Sequence, residues 1–237
     1  MTQDNRPIMV FDVNETLLDI THLEPLFVRI FGNKSVLREW FSHLIIYSQT
    51  MTLSGLYAPF SRLASGTLRM IATMYDIDLQ NSDIQELKER ITTMPAHPDV
   101  VPALTKLHNA GFELVTLTNS AKAPSPTPLE HAGIDHFFTH NFSIDDVKKF
   151  KPAPETYQFV AQQMNATTSD LCLVACHLWD TVGAQAAGCF GALITRPHNA
   201  ILPVESLPMP HFHAPTLTDV ANQIIQYWST PTAQTYP

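Results

Sequence analysis

The sequence predicts an α/β fold, a doubly wound parallel sheet with a helical domain inserted into it. Short apolar runs recur that stop abruptly at polar residues, the pattern of strands buried on both faces that deliver chemistry at their C-terminal ends. Segments of helical period separate these runs, which makes the strands parallel. After the first run comes a long stretch, from Thr21 to about Arg90, with helical spacing throughout and no strand pattern.

The first strand is Ile8-Met9-Val10-Phe11, ending at Asp12. In the insertion, Leu23, Leu26, Phe27 and Ile30 repeat at helical spacing, as do Trp40, Leu44 and Tyr47. The prolines of Met94-Pro95-Ala96-His97-Pro98 break helix, and a further helix through Val101, Leu104 and Leu107 stops at Asn109-Ala110-Gly111. Phe112 to Leu117 reads as a strand running into Thr118-Asn119-Ser120, and Leu171 to Ala175 as another that ends near Cys176-His177. Helices are expected over Ala153 to Met164 and about Trp179 to Ala187, before a last strand, Ala192 to Thr195. The expected organisation is a core of residues 1–16 and 98–228, a helical domain of 17–97 and a frayed tail of 229–237.

Composition narrows the function. The chain has 237 residues, 45% hydrophobic and 15% charged, enough to bury a large core. A formal net charge of -8 lacks the basic footprint of a nucleic-acid binder. Met1 to Pro7 is polar and Asp12 interrupts the apolar run that follows, unlike a signal peptide or a membrane span. A cytoplasmic protein without nucleic-acid or membrane partners is expected. Cys172, Cys176 and Cys189 are an odd number of thiols without a secretory signal, so they are read as reduced. Cys172 and Cys176 sit in a strand-like apolar run with no further ligands at short spacing, so no metal site or cofactor is expected.

Polar groups stand at three strand ends, Asp12-Val13-Asn14-Glu15-Thr16, Thr118-Asn119 and His177 to Asp180, and a parallel sheet gathers such ends at one crevice. Asp12, after four apolar residues, is the candidate nucleophile; an isolated Asp is otherwise most often a turn or helix-cap carboxylate. Thr16 has two roles open to it, holding the Asp12 carboxylate or capping the next helix. Lys151, in Phe150-Lys151-Pro152, stands before the helix that leads to the strand ending near His177, and taken alone it could be a solvated surface lysine.

Phe11 to Asp19, with Leu117-Thr118-Asn119, Phe150 to Tyr157 and Trp179-Asp180, resembles the haloacid dehalogenase superfamily and, within it, the type II 2-haloacid dehalogenases. The four motifs stand in order over nearly the whole chain. The resemblance implies a Rossmann-like core with a helical cap, and displacement of halide from an L-2-haloacid by Asp12. Hydrolysis of the resulting aspartyl ester then releases a D-2-hydroxy acid. It implies Lys151 beside Asp12, and a site for carboxylate and halide at Thr118 and Asn119. It also implies a homodimer formed through cap helices. Val13, Asn14, Thr16, Phe41, Tyr157 and Trp179 complete the candidates for substrate contact, Tyr157 being open also to a supporting or packing role.

Most superfamily members are magnesium-dependent phosphatases, which need a second Asp two residues after the nucleophile and an acidic ligand four residues before the position of Asp180. Asn14 and Cys176 occupy those places here, a poor set for a hard ion. The resemblance implies an Arg beside a cap Trp; alignment through Trp40 and Tyr47 puts Phe41 there, and Arg38, three residues earlier, is read as a surface residue, with substitution for that Arg as the alternative. An aromatic pocket of Phe41, Tyr47 and Phe60 is the alternative halide shelter. Ala175 and His177 replace the usual Ser and Asn, and Glu15 a common Gly. A neutral imidazole accepts a proton that an amide cannot, so His177, oriented by Glu15, is the candidate base for the hydrolytic water, with Asp180 assisting or structural. Two other readings stay open, a phosphatase-like hydrolase with an altered site and a non-catalytic binding protein on the same fold.

Overall fold

The structure is a computed structural model that describes residues 6–122 and 125–229. Six strands form one sheet: β1 (Ile8–Phe11), β2 (Leu114–Thr118), β3 (His140–Ser143), β4 (Leu171–Ala175), β5 (Phe190–Ile194) and β6 (Phe212–Ala214). Their order is β3-β2-β1-β4-β5-β6, and every neighbouring pair is parallel. The chain winds outward from β1 to β3, then crosses back to β4 on the other side of β1. The direction of winding therefore reverses between β1 and β4, which opens a crevice at the C-terminal end of β1. Met9 pairs with both Leu114 and Cys172, and all three side chains are buried, as an internal strand covered on both faces requires.

Four helices fill the insertion: α1 (Glu24–Phe31), α2 (Val36–Leu53), α3 (Phe60–Met74) and α4 (Asn81–Thr92). They pack on one another around Phe27, Trp40, Leu68 and Leu87, with the Trp40 indole N–H donating to Ala64 O at 3.0 Å. Arg29 ties α1 to α4 through Asp83 and Glu86 at 2.8 and 2.6 Å. The chain then continues through α5 (Val100–Asn109), α6 (Pro128–His131), α7 (Pro154–Gln163), α8 (Leu178–Ala186) and α9 (Leu217–Ser229).

Strands β1, β2, β4 and β5 fall where the apolar runs predict them, with shifted ends. Phe112 belongs to the end of α5 instead of β2. Gly111 has φ +82°, and the Phe112 N–H reaches back to Leu107 O at 3.1 Å to close the helix. Strands β3 and β6 were not expected. His140-Asn141-Phe142-Ser143 is half exposed and too polar to read as a strand alone, and pairing with β2 supplies the order. Of the expected tail, Ser229 closes α9 and residues 230–237 lie outside the described residues. Among the described residues no helix is long and apolar enough to cross a membrane.

Candidate active site

Asp12 is delivered by β1, its N–H bonded to Val174 O at 3.0 Å as the last rung of the ladder. Its Oδ2 accepts from the Thr16 hydroxyl at 2.6 Å and its Oδ1 from Lys151 Nζ at 2.8 Å. The Thr16 hydroxyl in turn accepts from the Cys176 N–H at 3.0 Å, where β4 gives way to α8. Lys151 is fully buried, and its ammonium also donates to Asp180 Oδ2 at 2.6 Å and Leu117 O at 3.0 Å. Burial works against ionising Asp12, but the Lys151 charge and the His177 ring outweigh it and hold the carboxyl well below the usual range. The same balance raises Lys151, since burial opposes its charge and the two carboxylates restore it. At Asp180 burial prevails over Lys151 and pushes the carboxyl up.

The turn after Asp12 places a second carboxylate. Glu15 has φ +65°, in the left-handed region that favours glycine. Around it the turn is pinned by Arg196, which donates to Thr16 O at 3.0 and 2.8 Å, and by His97, whose ring meets Glu15 O at 3.0 Å. Glu15 Oε2 lies 3.0 Å from His177 Nε2, and His177 Nδ1 lies 3.4 Å from Asp12 Oδ2. Glu15 Oε1 accepts from Arg38 and, at 3.1 Å, from Asn199. Burial would raise Glu15, but His177 and Arg38 bring it from 4.5 down to about 2. Burial would likewise depress His177; Cys176, Asp12 and Glu15 surround the ring and raise it well above the ordinary imidazole value.

This bears on one expectation: with a carboxylate at each ring nitrogen, the surroundings of His177 favour the imidazolium over the neutral base. It also corrects the surface reading of Arg38. Its side chain is only 30% exposed and is ion-paired to Glu15.

The imidazole of His177 is stacked between Phe41, at 5.3 Å and 27°, and Trp179, at 5.2 Å and 19°. Phe41 and Phe60 also line a cavity of about 590 Å³ between the helical insertion and the sheet, together with Val13, Asn14, Thr118 and Ser120. The cations in its wall are Lys88 and Lys122. Tyr47 is not part of it; it is exposed and stacks on His43 instead, because its turn of α2 faces away. Asn14 donates to the Ser120 hydroxyl at 3.1 Å, and Thr118 Oγ1 accepts from the Ser120 N–H at 3.1 Å. Asn119 is turned toward Lys151, its Oδ1 accepting the Lys151 N–H at 3.0 Å. Tyr157 lies behind the site, donating to Asp180 Oδ1 at 2.6 Å, with Asp180 O at 3.1 Å.

Sequence reasoning missed Asn199, Arg196, His97 and Ser120. Ser120 directly follows a motif and was open to discovery. Asn199 lies 184 residues from Glu15 and carries no local signal.

The residues do not fit Mg²⁺. Asn14 and Cys176 stand where oxygen ligands are needed, and the Lys151 ammonium already bridges Asp12 and Asp180. Glu15, Cys176 and His177 have ligand atoms within 4.8 Å of one another. Their thiol and imidazole suit a borderline transition ion, and the Arg38 guanidinium on Glu15 opposes any cation there.

A carboxylate and its lysine at the switch point of a parallel sheet, below a helical insertion, place the chain in a class of α/β hydrolases. A family model of haloacid dehalogenase-like hydrolases matches residues 7–188, and the chain belongs to that family. It is 29% identical over 182 residues to (S)-2-haloacid dehalogenase 1 of Pseudomonas sp. (strain CBS-3), covering 76% of this chain and 80% of that one. It is 26% identical over 231 residues to (S)-2-haloacid dehalogenase 4A of Burkholderia cepacia, covering 95% and 94%. Its fold matches that of L-2-haloacid dehalogenase from Xanthobacter autotrophicus with chloropropionic acid covalently bound, at a TM-score of 0.83 and 20% identity, over 92% of this chain and 98% of that one.

Proposed function

We propose that this protein is a metal-independent dehalogenase that hydrolyses short L-2-haloacids to D-2-hydroxy acids and halide. Residues 17–97 form its cap, and the described residues of 1–16 and 98–228 form its core. The observation that carries the reading is the Asp12 carboxylate, buried yet held ionised by Lys151 and Thr16 directly before Val13 and Asn14 of the cavity wall, with Asn14 and Cys176 where the magnesium-dependent phosphatases carry carboxylates. The curated relatives of the same family, with (S)-2-haloacids as the substrates in their names, support the choice of reaction.

In the first step an Asp12 oxygen attacks C2 of the substrate opposite the carbon–halogen bond, whose electron pair leaves with the halide. Thr118, Asn119 and Ser120 border the place of the substrate carboxylate and halide. Esterification removes the negative charge of Asp12, one of the groups that raise His177. The imidazolium becomes more acidic and releases the Nδ1 proton, which faced Asp12, to solvent, while Glu15 keeps the Nε2 proton; the neutral ring is then a base. Water then attacks the Asp12 carbonyl carbon and gives its proton to His177. The donor on the oxygen that is not esterified, Lys151 on Oδ1 or Thr16 on Oδ2, meets the charge on the carbonyl oxygen, and the departing hydroxy-acid oxygen recovers the proton from His177. Asp180, held by Tyr157, positions Lys151.

The test is release of halide and hydroxy acid from L- and D-2-chloropropionate, chloroacetate and fluoroacetate in EDTA. Wild type is expected to act on the L enantiomer, Asp12→Asn to be inactive, and His177→Ala to accumulate an ester visible by intact mass. Activity that requires added Mg²⁺, or survives Asp12→Asn, overturns the proposal.

A further inference from the structure

Asp12, Lys151 and Thr16 all come from the strands and loops of the sheet, and nothing in the helical insertion touches them through a hydrogen bond. The Glu15–His177 pair differs. Arg38 and Phe41 lie three residues apart on α2, hence on one face of that helix. Arg38 pairs with Glu15 Oε1, and Phe41 stacks on the His177 ring. Glu15 gives one oxygen to His177 and the other to Arg38 and Asn199, so donors on Oε1 set the rotation of the carboxylate that orients the imidazole. The backbone adds independent weight. Position 15 takes a φ that glycine adopts freely and glutamate resists, which a side chain with this many partners can offset.

We propose that Arg38 and Phe41 of the helical insertion, with Asn199, are positioning residues for the Glu15–His177 base. The hydrogen bonds of the water-activating pair include α2, and those of Asp12, Lys151 and Thr16 do not. Resting on the reading of Asp12 as an ester-forming nucleophile, this makes hydrolysis of the ester, more than its formation, the step that depends on the contacts of Arg38 and Phe41.

The experiment is rapid-quench turnover of L-2-chloropropionate by wild type, Arg38→Met, Arg38→Lys and Asn199→Ala, following chloride, hydroxy acid and intact mass. Arg38→Met is expected to keep the chloride burst within about twofold while hydroxy-acid release slows at least about tenfold and the ester accumulates. Arg38→Lys should recover most of the second rate, and Asn199→Ala should fall between. Equal slowing of both phases, the result of a merely structural ion pair, overturns the proposal, as does no change.

A second measurement needs no turnover. The His177 ring protons, between two aromatic faces, should resonate upfield in wild type, move downfield in Arg38→Met and return in Arg38→Lys; an unmoved signal overturns the positioning role. A wild type that releases no halide from any 2-haloacid refutes the functional reading instead, and the resonance still decides whether Arg38 positions His177.

Discussion

Asp12 and Glu15 stand three residues apart, both buried and both held ionised, yet their surroundings have opposite character. Lys151 beside Asp12 is wholly enclosed, and its three N–H bonds are spent on Asp12, Asp180 and Leu117 O. Glu15 is held from four directions: a helix N-terminus, a helix of the insertion, a loop after β5 and a ring on its own backbone carbonyl. The first arrangement has no spare donor and one geometry, which suits a nucleophile that must stay ionised and aimed. The second shares one proton-bearing ring between two carboxylates, which suits a group that must change protonation state within a cycle.

The sharpest way to break this contrast is to remove the enclosed cation. Lys151→Met leaves two buried carboxyls facing one another, so turnover should drop by about 100- to 1,000-fold and stability by about 3–5 kcal/mol. Urea denaturation and chloride release measure both. Pairing it with Asp180→Asn should restore stability but not rate.

On the Glu15 side, Glu15→Gln keeps a hydrogen-bonding group and removes the charge. Ester hydrolysis should slow by about 100-fold. With one anion fewer beside it, His177 gives up its proton more readily, so the rising limb of the hydrolysis rate should move to lower pH.

The same variant separates the two regions in acid. A carboxyl lowered from 4.5 to about 2 adds stability that is present above 4.5 and lost as pH falls toward 2. Urea midpoints of wild type should fall through that window more steeply than those of Glu15→Gln. His177 runs the other way. Raised above 6.5, it adds stability that is complete below 6.5 and lost as pH climbs through its elevated value.

Smaller effects test the framework of each half. Gly183 on α8 has no room for a Cβ against Pro152, the residue after Lys151. Gly183→Ala should cost about 1–3 kcal/mol in thermal or urea unfolding and reduce the first half-reaction by displacing Lys151. Glu15→Gly relieves the left-handed backbone by at most about 1 kcal/mol but deletes three partnerships of a buried carboxylate, so it should lower stability on balance while ester hydrolysis collapses.

The local sequence reached the first of these regions almost completely. Asp12, Thr16 and Asp180 sit in short motifs at the ends of apolar runs, which a parallel sheet brings together, while the place of Lys151 beside Asp12 came from its Lys-Pro motif and the family resemblance that motif carries. It reached the second only in part. Glu15 and His177 were paired from their places at neighbouring strand ends, but the charge that the surroundings of His177 favour was not legible, because the state of an imidazole depends on how many anions surround it and how little water remains. Arg38 looked like a surface residue, since helical spacing tells which face it occupies and not what that face meets. Tyr47 joined the pocket in the sequence reading for the same reason, and lies outside it.

By itself, the sequence determined the alternation of strands and helices, the long helical insertion and the nucleophile with its lysine, all of which depend on patterns within a few residues. Only the tertiary structure decided that β3 and β6 become edge strands, that Arg38 and Asn199 converge on Glu15, and that the His177 ring lies between Phe41 and Trp179 with a carboxylate at each nitrogen. Each of these is a property of neighbours far apart in the chain, and burial and charge act through distances in space that local periodicity does not encode.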